Sequence, residues 1–490
     1  MNARNLPAPL PTPSQAGRYS LLLLGVAMAL ALGGLAGAIS SGEPYALAAG
    51  AAVLALPLLA LAGRAGLDLL LASVLFAALA FFTAIRHRST LDVETPHPFY
   101  EWALWRVTLP EMLAVAALAA TLLRTPSRAD EAPVRVGAVP WLIGGFLALG
   151  LFSGLGNGNT LEACLRDGRK VVYVVVAHLL IVRIVPSAAR RTRLLQVIGL
   201  ALLAGALATV GAWWSDRGFH YNGTTRASVD VSDFLGFLGL IALPMAALRS
   251  RAAHGSLPLR LLLIAAGAAA TICTFSRAAW CAAPIALAVV ALHPAQQARR
   301  STRALTLLVV AVALLAPFLF SGIAEQAWLR LAPLFDPAGD PSVNYRVREL
   351  RGAFAVAADH PLAGVGLGSR FDAGAALIDR RRGSATLVHN LFVWSAVKAG
   401  LPGLLLLCAA LLLTVKRLSD AARRHVDPRA AALALGLLGV LAGFLVIGQV
   451  GAMLNQARTA FLLGTVTGLA QLLAAGIPAE RVAATRGGAP

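Results

Sequence analysis

Charged side chains are scarce in this chain, 13% of 490 residues against 58% hydrophobic, where a soluble domain carries about 25% charged. So little charge cannot cover a water-facing surface, which excludes an ordinary soluble globule. Lysine is nearly absent: Lys170, Lys398 and Lys416 stand against 39 arginines. Cysteine is rare too. Cys164, Cys273, Cys281 and Cys408 form no CxxC pair, and three of them fall in apolar runs, which excludes a disulfide framework. Metal signatures are missing: the chain has no HExxH, no DxD and no cluster of histidines with carboxylates. No metal and no cofactor are expected. The net charge of +19 would suit nucleic acid, yet no basic domain with interleaved aromatics is present to hold a strand. No nucleic-acid partner is expected.

What the chain has instead is apolar length. Fourteen stretches are long enough to span a hydrocarbon core of about 30 Å, beginning at 19–39, 45–62 and 67–85 and ending at 389–413, 430–452 and 457–477. The second is short, and the fourth, 103–123, carries Arg106 and Glu111, which could pair within it. The expected fold is therefore an all-α polytopic membrane protein with about 12–14 transmembrane helices. The stretch 19–39 lacks a small-residue cleavage site and is followed by further spans, so it reads as a span and not a cleaved signal. With the longest loop set aside, lysine and arginine favour the side of the N-terminus, which sets both termini in the cytoplasm.

That longest loop, 322–388, divides the chain into spans 1–321, the loop, spans 389–478 and a tail 479–490. Asp340-Pro341 reads as an N-cap and first helical residue. Val347, Leu350, Phe354 and Ala358 then recur at helical spacing, and Pro361 follows. An amphipathic helix over about 341–359 is expected, lying against the bundle or the headgroups with that apolar face inward or down. Arg348 and Arg351 flank the face on one side and Arg346 on the other, with Glu349 three residues after Arg346. A solvated helix surface and an anion cradle both fit this pattern. The glycines of "HPLAGVGLGSRF" permit a tight loop, though no phosphate-loop or dinucleotide fingerprint surrounds them.

Two further sites carry chemistry. Arg277, in "TFSRAAW", sits beside hydrocarbon and needs either the headgroups or an anionic partner; a diphosphate would match its planar fork of donors. His389-Asn390 opens the span at 389–413. A histidine there is either interfacial or a general base, and Asn390 could cap the helix or orient a sugar hydroxyl.

Taken together, Arg346, His360-Pro361, Gly364-Val365-Gly366, His389-Asn390 and Gly400-Leu401-Pro402-Gly403, with Arg277 upstream, resemble the O-antigen ligase and polymerase superfamily. The similarity is specific over about 271–403, and it departs from the family at Leu350, where a large aromatic is common. The resemblance implies a metal-independent glycosyltransferase of C-type architecture in the bacterial inner membrane, its long loop periplasmic. It implies a donor glycan on undecaprenyl diphosphate and, for a ligase, a sugar hydroxyl of lipid A–core as acceptor, both met among membrane lipids. Carried onto this chain, it makes His389 catalytic and Arg277 and Arg346 diphosphate ligands, with Arg348, Arg351 and Asn390 as lesser substrate contacts. An O-antigen polymerase and a protein O-oligosaccharyltransferase share that donor. A lipid-linked sugar transporter is the rival of another class, and it would bury charges mid-span, of which the sequence shows few.

Overall fold

The computed structural model describes residues 67–82, 103–104, 107–123, 134–214, 219–221, 224–226, 231–250, 256–294, 341–370, 388–451 and 453–476, with single residues at 325, 328 and 332. The stretches expected at 19–39 and 45–62 lie outside them, as do another of the fourteen, 304–322, and Arg106. Twelve α-helices are described: α1 Leu67–Phe82, α2 Leu109–Leu123, α3 Ala138–Gly156, α4 Leu161–Ile184, α5 Ala188–Trp214, α6 Val231–Arg249, α7 Leu257–Cys273, α8 Arg277–Leu292, α9 Pro341–Asp359, α10 Leu391–Arg424, α11 Pro428–Ile447 and α12 Ala457–Ala475. Five of these are long and apolar enough to cross a membrane, and five more are shorter apolar helices. The chain is a polytopic membrane protein built of helices. The sequence 103–108 is not the start of a span; β1 Ala103–Leu104 pairs antiparallel with β2 Val107–Thr108 ahead of α2, and β3 Phe219–Tyr221 pairs with β4 Thr224–Arg226.

The helices pack through small residues, which let backbones approach closely where lipid offers no hydrophobic drive. A side chain on Gly439 of α11 would meet Val290 Cγ2 at 2.8 Å and Ala286 O at 2.9 Å on α8, and one on Gly436 would meet Leu243 of α6 at 2.8 Å. On α12, Gly468 presses on Ile181 and His178 of α4. Between α1 and α5, a buried ion pair joins Asp68 to Arg190 at 2.7 Å. Glu111 of α2 pairs with Arg169 of α4 and accepts from Tyr173 Oη at 2.8 Å, which ties α2 to α4; the expected pairing with Arg106 falls outside the described residues. With Asp167–Lys398 at 2.7 Å, the lysine fully buried, these pairs show more charge inside the bundle than the sequence suggested. Each is matched by an opposite charge, the condition for burying one in low dielectric.

Helix α10 is broken. Gly400 takes φ 65° and ψ −173° ahead of Pro402, which frees backbone groups on both sides. The loop after α9 satisfies them: Val365 N donates to Val397 O at 2.8 Å, and Leu401 N donates to Pro361 O at 2.8 Å. The same loop reaches α3 through Leu367 N to Gly150 O at 2.8 Å and α4 through Gly368 N to Asp167 Oδ2 at 3.1 Å. Its glycines are required by contact as well as conformation. Gly364, Gly366 and Gly368 have φ of 67°, 87° and 78°, and a Cβ on Gly364 would lie 2.6 Å from Gly400 N and Val397 O.

This fit generates a stability test. Gly366 also lies against the Gly154 backbone, which cannot retreat as a side chain could. Gly366→Ala therefore combines an unfavourable left-handed backbone, about 1–2 kcal/mol, with overpacking of about 1–3 kcal/mol. It should lower the thermal midpoint in detergent by several degrees. Gly156→Ala, where no atom lies within 4 Å, should leave the midpoint unchanged or raise it. Equal midpoints for the two variants would contradict the docked loop.

Candidate active site

The site is assembled where three chain segments meet at one end of the bundle. Asn390 begins α10 as its N-cap, its side-chain oxygen accepting from Phe392 N and Val393 N, each at 3.0 Å. Its amide nitrogen donates to Gln449 O at 3.1 Å, just past α11. Asn390 thus caps a helix and ties two chain segments, and its amide is committed to that work rather than presented to a sugar. Leu391 N donates to Gly448 O at 2.7 Å and makes a second tie between α10 and the end of α11.

His389 stands one residue before this cap, its position fixed by α9. The backbone N–H of His389 donates to Glu349 Oε2 at 3.2 Å, and its ring Nδ1 lies 2.8 Å from Glu349 Oε1. One carboxylate therefore grips both the backbone and the ring of the same residue. Glu349 is 2% exposed, whereas the His389 side chain keeps 26% of its surface. An ionised carboxylate only accepts hydrogen bonds, so in the neutral imidazole Nδ1 carries the proton and Nε2 is left with its lone pair. Arg346 Nη1 lies 3.7 Å from Glu349 Oε2, and the Tyr345 ring stands edge-on to the imidazole at 6.3 Å.

These contacts decide how α9 rests, which the sequence left open between the bundle and the headgroups. Val347 and Phe354, on the apolar face, are 40% and 59% exposed and do not pack inward, while Glu349 and Ala353 are buried. The physical reason is that the helix carries its polar groups to partners inside the bundle end and leaves apolar side chains outward. Arg348 and Arg351 go with the outer face and are exposed; Arg348 Nε reaches only Asn344 O, at 3.4 Å. Of the three arginines of α9, Arg346 alone reaches the His389 centre.

Arg277 is the first residue of α8, half-buried, with Ser276 as N-cap accepting from Ala279 N at 3.5 Å. The turn before it is tight, with Phe275 at φ 46°. Gly439 of α11 lies beside Ala286 and Val290 and Gly443 beside Ala282, so α8 and α11 run antiparallel. Following them onward brings the start of α8 level with the end of α11, hence with Leu391. Arg277 and His389 occupy the same end of the bundle on different helices. The glycine loop, by contrast, gives the N–H groups of Gly364, Val365, Leu367 and Gly368 to protein acceptors and is a docking element rather than an anion cradle.

Glu349 is the residue that sequence reasoning undervalued. It was visible only as a helical neighbour of Arg346, and nothing in the sequence links it to a histidine forty positions away. No curated protein matches the chain. Residues 261–408, from within α7 to within α10 and thus including Arg277, Arg346, Glu349 and His389, match the family model described as O-antigen ligase.

Proposed function

We propose that the protein is an O-antigen ligase, transferring a glycan from undecaprenyl diphosphate to a sugar hydroxyl of lipid A–core. The observation that carries this reading is the clamped His389, its Nε2 lone pair available beside Arg346 at the end of the bundle that Arg277 shares. The acceptor hydroxyl gives its proton to His389 Nε2 while its oxygen forms the new bond to the anomeric carbon. The bond from that carbon to the diphosphate oxygen breaks, and the lipid diphosphate leaves with the electron pair. Arg277 and Arg346 meet the growing charge as cations already fixed in place before the reaction. The imidazolium formed in the step is stabilised by the Glu349 carboxylate. One displacement on one face inverts the anomeric centre and calls on no metal ion.

In this reading the site end faces the periplasm of a bacterial inner membrane, both termini are cytoplasmic, and the many arginines outside the cytoplasm suit two phosphate-bearing substrates. The polymerase and the protein oligosaccharyltransferase would use the same donor end, so the acceptor decides among them. Purified protein in liposomes, given the lipid-linked glycan, should glycosylate lipid A–core. Transfer only to a second lipid-linked glycan or to a pilin-like protein would reassign it, and movement of intact donor across the bilayer without transfer would make it a transporter.

In that assay Arg277→Ala and Arg346→Ala should each lower turnover by about 10²–10³, the scale of removing one donor to a developing charge. Lysine at either position should recover little, because it lacks the planar fork. Arg348→Ala and Arg351→Ala, on the outward face, should stay within a few-fold of wild type. Equal tolerance at all four positions would remove the diphosphate assignment.

His389→Ala should cost about 10²–10⁴ in rate, the contribution of a general base, with the protein still inserted and folded. His389→Gln keeps a hydrogen-bonding side chain but no basicity and should be nearly as damaged. Near-normal turnover by the glutamine variant would leave His389 an orienting group only.

A further inference from the structure

We infer that Glu349 is a positioning residue that sets the tautomer of His389, and that its negative charge, beyond its shape, is what the reaction needs. The inference rests on the proposed role of His389 as base. Its ground is the pair of bonds from one buried carboxylate: Oε2 accepts the His389 backbone N–H at 3.2 Å, and Oε1 meets ring Nδ1 at 2.8 Å. Arg346, 3.7 Å from the same carboxylate, supplies the counter-charge that an ionised Glu349 needs at 2% exposure, since a buried charge without a partner is costly.

The two bonds make a near-isosteric change informative. A backbone N–H can only donate, so in Glu349→Gln the side-chain oxygen must turn to it. That places the amide NH₂ against Nδ1, where it can only donate. Nδ1 must then accept, the ring proton moves to Nε2, and the lone pair that would take the acceptor's proton is gone. Glutamine therefore fits the space and makes both bonds, yet holds the histidine in the wrong tautomer. The equivalent acid-to-amide change beside the histidine of a serine-protease triad costs about 10⁴ in rate through this effect. Aspartate keeps the charge and the acceptor character on a shorter arm.

The experiment compares Glu349→Gln, Glu349→Asp and His389→Ala in the full-length protein in liposomes. It uses lipid-linked glycan and lipid A–core as substrates, and reads kcat, KM for the donor and the thermal midpoint. The expected result is a kcat for Glu349→Gln at least about 100-fold below wild type, with KM within about twofold and the midpoint unchanged. Glu349→Asp should recover at least about tenfold over glutamine. A glutamine variant within about threefold of wild type beside an inactive His389→Ala would overturn the inference while leaving His389 as base. Joint loss of kcat, donor KM and midpoint in both Glu349 variants would also overturn it, reducing Glu349 to a structural strut. Should His389→Ala itself stay within about threefold, the base assignment fails in the same series, and this inference with it.

Discussion

A carboxylate at 2% exposure in a membrane-embedded bundle is the constraint around which this end of the protein is organised. Removing an ion from water into such surroundings costs several kcal/mol unless its oxygens are met by donors and a counter-charge. Glu349 meets that requirement with the backbone and ring of His389 and with Arg346. Because the donors come from α10 and from α9 itself, satisfying the charge fixes the rotation of α9 and the orientation of the imidazole together. The outward turn of Val347 and Phe354 follows from this.

The glycine loop completes the placement from the other side. Helix α9 leads into it, and the loop closes on the break in α10, on α3 and on α4. Beneath it Lys398 is fully buried, 2.7 Å from Asp167 and donating to Ser369 O at 2.9 Å. The charged pair thus pins the exit of the loop as Glu349 pins the helix before it. Helix α10 contributes to both anchors, His389 just before its start and Lys398 before its break, so α9 and the loop after it are each held by the same short helical segment. Such double anchoring is how a reactive geometry is kept within the tolerance that catalysis demands.

Much of this was legible in local patterns. Pro341 marks the start of α9 because a fixed φ is a local property, and Asn390 signals the start of α10 because a cap acts within a few residues. Apolar runs gave the helices, although α4 begins at Leu161 with a charged first half that hydropathy passes over. What could not be read depends on partners distant in sequence. The rotation of α9 needs Glu349 to find His389; the role of the glycines needs the α10 break; the tie from Glu111 needs Arg169 and Tyr173 on another helix. Arg277 and Arg346 could be singled out as cations, but only the packing of α8 against α11 puts Arg277 at the end that His389 occupies.

The account's central claim is a single displacement, with His389 taking the acceptor's proton as the diphosphate leaves. The most direct measurement is the anomeric configuration of the new glycosidic bond, read by nuclear magnetic resonance on the product of a donor of known configuration. The account predicts inversion in every product molecule. Retention would require a covalent glycosyl intermediate and two displacements, and would contradict the mechanism built on Glu349, His389 and the two arginines.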